Sequence, residues 1–229
     1  MAVFTPVSPN QLEHFLAAYD LGPVQDFRGI DSGIENTNYF VSTAAGDYVL
    51  TLFERLSPDQ LPYYLNLMHH LADVGVPCPN PLAARDGQTL QTLNDKPAAL
   101  VTRLPGEAQM HPQPEHCAAV GEALAHMHLA ARSYTTRQPN LRGLSWWRET
   151  VPGLLPRLPV RSRGVLEQEM AVQSTFASSA AYPELPGSAV HADLFRDNIL
   201  IVEGEHGPKV GGIIDFYFAG HDTWVFDLA

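Results

Sequence analysis

Along the N-terminal half of the chain apolar residues alternate or run in short blocks, whereas along the C-terminal half they recur at helical spacing. Residues 9–20 open with an amphipathic helix whose Leu12, Phe15, Leu16 and Tyr19 share one face. Residues 24–30 read as a strand and are followed by the glycine-bearing loop "GIDSGIENT". The run "NYFVSTAAGDYVLTLFE" then predicts a β-hairpin turning through Ala44, Ala45, Gly46 and Asp47. Ser57-Pro58 opens a helix over 58–74, with proline just inside its start and Gly75 just past its end. "NPLAARDGQTLQTL" predicts a second hairpin turning at Asp86-Gly87, and "PAALVTRL" a buried strand.

The segment 105–116, "PGEAQMHPQPEH", carries three prolines and a glycine and marks a boundary. Beyond it the spacing predicts helices over 113–131, 144–158 and 163–180. A strand to Val202, a turn at Gly204–Gly207 and the strand "KVGGIID" follow. This is an α+β pattern: a sheet-rich lobe over residues 1–104 and a mainly helical lobe over 105–229.

Composition narrows the class. Hydrophobic residues make up 45% of the 229 and charged residues 17%, as in a folded globular protein. The formal net charge of −11 argues against a nucleic-acid partner, which needs a basic surface, while leaving room for a local basic pocket. Cys78 and Cys117 form no CxxC pair, and the bland expectation is two reduced thiols in a cytoplasmic protein. The N-terminal stretch lacks the basic and apolar regions of a signal peptide, and no apolar run approaches a membrane span. Trp146 and Trp147 are expected to serve core and lobe packing.

The candidate chemistry lies in "HADLFRDNIL", residues 191–200, where polar side chains crowd the mouth of an apolar strand. If the strands after Asn198 and before Asp215 pair as a hairpin, those two residues meet at one open end, with Asp193 standing beside them. Two carboxylates and an amide around a small gap suit Mg²⁺, a hard cation that takes oxygen ligands. A carboxylate not spent on the metal can accept a proton from a hydroxyl, which is the layout phosphoryl transfer requires. Any one of these residues alone reads as a turn former; the HxDxxxxN spacing between two apolar strands is the specific signal.

"HADLFRDN" and "DFYFAGHD", with "GIENTNYFV", "YVLTLFE", "LPYYLNLMHHLA" and "DKPAAL", resemble the aminoglycoside-phosphotransferase-like small-molecule kinases, and within them the type II homoserine kinases. The resemblance spreads from about residue 28 to residue 228. It implies a two-lobe protein-kinase-like fold that uses ATP and Mg²⁺ to phosphorylate the hydroxyl of L-homoserine, in threonine biosynthesis. It implies that Asp193 is the catalytic base and that Asn198 and Asp215 are the metal ligands. It further implies ATP-binding roles for Ser32, Gly33, Asn36 and Thr37 in the loop, for Thr51, and for a hinge at Thr102 and Leu104. Arg196 and Asp197 are expected to meet the substrate carboxylate and ammonium, the other reading being a structural Arg196–Asp222 pair. His191, Asp222 and Asp227 are expected to be structural. Alternatives are a kinase of the same fold for an aminoglycoside, choline or methylthioribose, and a nucleotide-binding module without turnover.

Two departures qualify the resemblance. The wider kinase superfamily places a lysine on its third strand to hold phosphates, and Thr51 stands there instead. The type II homoserine kinases, by resemblance, share that threonine, which leaves phosphate neutralisation to Arg28, Arg55 or Arg196. The sequence also stops fourteen residues past Asp215, where the resembled family continues into further helices. A C-terminally truncated form is the expectation, with an uncovered apolar patch, weak nucleotide binding, poor turnover and a tendency to self-associate.

Overall fold

The computed structural model describes residues 3–205 and 207–229. Met1 and Ala2 of the N-terminal stretch, and His206 of the expected turn at 204–207, lie outside the described residues. Helix α1 (Pro9–Leu16) starts where Ser8 caps it: the Ser8 hydroxyl accepts from Gln11 N–H while the Gln11 side chain accepts from Ser8 N–H. It ends at Leu16 rather than at residue 20, because Ala18 and Tyr19 donate to carbonyls three residues back and tighten the last turn.

Strands β1 (Val24–Gly29), β2 (Asn36–Thr43), β3 (Gly46–Phe53), β4 (Gln91–Leu93) and β5 (Lys96–Thr102) form an antiparallel sheet in the order β1-β2-β3-β5-β4. Along β2 the buried positions alternate through Thr37, Tyr39, Val41 and Thr43, and that face joins α1 in a core with Leu50, Leu52 and Leu100. Between β3 and β4, α2 (Leu61–Asp73) buries Leu61, Tyr63, Tyr64, Leu65, Leu67, Met68 and Leu71. It begins three residues later than the spacing predicts, since residues 57–60 close a separate turn with Gln60 N–H on Ser57 O.

The hairpin expected at Asp86-Gly87 is not the one that forms. Residues 84–88 make only a local turn, and the hairpin is β4–β5, turning at Asn94-Asp95 with φ of 51° and 59°. Two successive positive φ values suit Asn and Asp, whose short side chains tolerate the left-handed region.

After β5 come β6 (Glu107–Ala108), α3 (Pro114–Ala131), α4 (Leu144–Leu154), α5 (Val160–Ala177), β7 (Gly187–Val190), β8 (Ile199–Gly204), β9 (Gly207–Ile213), β10 (Gly220–Thr223) and α6 (Val225–Leu228). Strands β6, β8 and β9 form a three-stranded sheet, and β7 pairs with β10. The chain divides into two compact units, one running to Met127 together with Phe195–Tyr217, the other His128–Leu194 with Phe218–Ala229. The division expected between residues 104 and 105 differs in its treatment of residues 105–127 and 195–217. The strap at 104–106 lies directly on β8 and β9: a Cβ on Gly106 would stand 2.6 Å from Ile201 O, and one on Gly212 2.9 Å from Leu104 Cβ. Only glycine permits that approach.

In the second unit α4 and α5 bury no residue, and Val160, Val165, Val172 and Phe176 are exposed. Trp146 is not a core residue: it is exposed, with the Arg142 guanidinium 5.1 Å from its ring. No helix among the described residues is long and apolar enough to cross a membrane.

Candidate functional site

The β8–β9 hairpin performs the geometric step the sequence anticipates. Ile199 pairs with Ile213, and Ile214 N–H donates to Asn198 O at 2.9 Å, so Asn198 and Asp215 stand at the same end of the hairpin. Asp215 is exposed and holds φ of 67°, a left-handed conformation that is uncommon outside glycine and concentrates at functional positions. Among the described residues no cluster of three or more His, Cys, Asp or Glu forms a self-sufficient metal cage. A carboxylate and a carboxamide oxygen at one exposed end fit Mg²⁺, which takes one or two protein ligands and fills its octahedron with phosphates and water.

Two residues past Asp215, Tyr217 packs edge-on against Phe53 at 4.9 Å between ring centres. Burial pushes its phenol well above the ordinary value and the Asp215 charge adds to the rise, so the hydroxyl stays protonated. Thr51 is buried on β3, where its hydroxyl donates to Asn38 Oδ1 at 2.8 Å. Neither Asn38 nor Tyr217 is singled out by the sequence. The signal available was the one-for-one pairing of β2 with β3, which sets Asn38 opposite Thr51.

The other expected nucleotide contacts divide. Ser32 and Gly33 lie exposed in the loop between β1 and β2, and Asn36 opens β2 half-buried. Thr37 does not face that loop. It is fully buried, its hydroxyl accepting from Phe4 and Thr5 N–H and donating to Glu54 at 2.8 Å, so it is spent on the sheet. At the hinge, Thr102 N–H donates to Asn80 O, its hydroxyl accepts from Asn80 N–H, and Arg103 N–H donates to Asp47 O. Those groups are taken. Arg28 lies over the Phe40 ring and Arg55 pairs with Glu35 at 3.3 Å, so both already have partners. Lys96 pairs with Glu54 at 3.1 Å, one strand away from where a kinase lysine would stand.

Arg196 and Asp197 are exposed on a short 3-10 turn, and Arg196 makes no ion pair among the described residues. In the second unit Asp222 accepts from Asn140 Nδ2 at 2.9 Å, from the Tyr182 hydroxyl and from Thr223 N–H. The same unit holds the loop that carries Asp193. His191 is wholly buried; its N–H donates to Asp227 Oδ2 and Ala192 N–H donates to Asp227 Oδ1, both at 2.8 Å. Asp193 N–H reaches His191 Nδ1 at 3.3 Å, and Ala192 is held at φ of 63°. His128 Nε2 lies 2.8 Å from Asp227 Oδ2 and its ring stacks on Trp224, whose indole N–H donates to Ser188 Oγ.

Asp227 is therefore the fastening of the loop. Asp227→Asn would replace one carboxylate oxygen by a donor, confronting a buried N–H or His128 with nothing to accept from it. The side chains of His128 and Asp227 are 4% and 0% exposed. Leaving a buried donor without its acceptor should cost ~1–3 kcal/mol of stability, read as a lower urea midpoint with an unchanged slope. An unchanged midpoint would show that the loop is held by other contacts.

The chain matches the phosphotransferase enzyme family over residues 26–229. It is 53% identical over 233 aligned positions to a homoserine kinase of Cupriavidus pinatubonensis, covering all of this chain and 71% of that protein. A homoserine kinase of Paraburkholderia phytofirmans is likewise 53% identical, again over the whole of this chain and 70% of the relative. Among solved structures, an amicoumacin kinase in complex with AMP-PNP and Ca²⁺ superposes with a TM-score of 0.69 at 18% identity, over 94% of this chain and 69% of its own.

Proposed function

The chain belongs to the phosphotransferase enzyme family, within its homoserine kinases, and from that premise we propose that it transfers the γ-phosphoryl group of ATP to the hydroxyl of L-homoserine. The product is O-phospho-L-homoserine, an intermediate of threonine biosynthesis, and ADP leaves. The observation that carries the phosphoryl-transfer chemistry is the meeting of Asn198 and Asp215 at one end of the β8–β9 hairpin. The acceptor rests on the relatives named homoserine kinase.

Asn198 and Asp215 would hold Mg²⁺, which would offset the negative charge of the phosphates during transfer. Asp193 takes the proton from the homoserine hydroxyl as its oxygen attacks the γ-phosphorus, and the bond to the ADP oxygen breaks. Arg196 grips the homoserine carboxylate in two-pronged fashion, and Asp197 meets the ammonium. Exposed loop residues Ser32 and Gly33 close over the phosphates. The test is a coupled ADP-release assay with homoserine, an aminoglycoside, choline and methylthioribose as acceptors. Release driven by homoserine above the other three supports the assignment. Release driven by another acceptor, or nucleotide binding with no release at saturating homoserine, overturns it.

A further inference from the structure

Strand β3 offers a threonine where the superfamily would place a cation, and an ordered row of side chains begins there. Asn38 and Thr51 are cross-strand partners, and the Thr51 hydroxyl donates to Asn38 Oδ1 at 2.8 Å. A threonine hydroxyl has one proton, and here it is committed to Asn38.

This bond fixes the Asn38 amide. Its oxygen faces Thr51, so its NH₂ faces away, toward the loop between β1 and β2. Asn38 Nδ2 lies 3.9 Å from the place a Cβ on Gly33 would take, and Gly33 holds φ of 100°, which keeps that side of the loop bare backbone. The Asn38 carbonyl accepts from Ile30 N–H at 2.9 Å and so anchors the strand at the start of the same loop.

We propose that Asn38 is a nucleotide-phosphate ligand, its side-chain NH₂ aimed by Thr51 at phosphate oxygens beneath the loop at 31–35, in place of a third-strand lysine. The inference rests on the proposed use of ATP. Thr51 is a positioning residue: it touches no phosphate but holds the amide the right way round. An aimed amide supplies two donors without a charge, and hydrogen bonds to charged acceptors are the strong ones.

The test is calorimetric binding of ATP and of adenosine to the full chain and to three variants, with thermal melting as the check on folding. Asn38→Asp keeps the oxygen that Thr51 needs but turns the donor into an anion. It should melt like the parent and bind ATP at least ~100-fold more weakly. Asn38→Ala should lose ~10–100-fold in ATP affinity, the usual worth of a hydrogen bond to a charged group. Thr51→Val removes the hydroxyl that holds the amide and should lose less than either. Adenosine, which has no phosphate, should bind all of them as it binds the parent. An Asn38→Asp chain that held ATP as tightly as the parent would overturn the inference, because Asn38 would then serve only to steady Thr51. Equal losses for ATP and adenosine would overturn it too. A parent chain that bound no ATP at all would instead overturn the proposed function, and this inference with it.

Discussion

Asp193→Ala should slow turnover by ~10³–10⁴-fold, the upper part of the range for a positioned base, while ATP affinity stays within about twofold of the parent. The size follows from how firmly the loop is held. Asp227 takes both the His191 and Ala192 N–H groups, His191 Nδ1 takes the Asp193 N–H, and Ala192 is kept in a left-handed conformation. A side chain carried on so constrained a backbone loses little freedom when it meets its substrate, so its removal forfeits orientation as well as basicity. Steady-state ADP release gives the rate, and calorimetry gives the nucleotide affinity. A variant keeping more than about a tenth of the parent rate would exclude Asp193 as the base.

Asp215→Asn should weaken Mg²⁺·ATP by ~10²-fold or more while leaving metal-free ATP nearly untouched. Loss of a partner behind a metal ligand already costs ~10–100-fold in metal affinity, and here the ligand itself loses its charge. The substitution is a clean one. Asp215 holds φ of 67°, and asparagine visits that region as readily as aspartate, so the backbone has no reason to move. Equal losses for ATP with and without magnesium, titrated side by side, would mean that Asp215 is no ligand.

Strands β1, β2, β3 and β5 and helices α2 to α5 follow from apolar spacing and from proline and glycine at their ends, because those signals act within a few residues. The β4–β5 turn was missed because Asp86-Gly87 carries the stronger dipeptide signal, while Asn94-Asp95 becomes a turn only once β4 finds β5. Strands β7 and β10, at four residues each, are too short to show a period, and exist because they pair with one another.

For the candidate site, the HxDxxxxN spacing and the two apolar strands that follow were enough to bring Asn198 beside Asp215, since a hairpin brings its own ends together. What a threonine hydroxyl bonds to was not legible. Thr37 and Thr51 look alike in sequence, yet the alternation of β2 turns Thr37 into the sheet toward Glu54, and the β2–β3 register sets Thr51 on Asn38. His128 and Asp227 are 99 residues apart and meet at 2.8 Å. The sequence by itself determined the family, the longer strands and helices and the polar loop, because these are written in local pattern and motif. Only the tertiary structure decided which polar groups are spent on the scaffold and which are left to face a ligand, because a hydrogen bond depends on where a partner stands in space, whatever the distance along the chain.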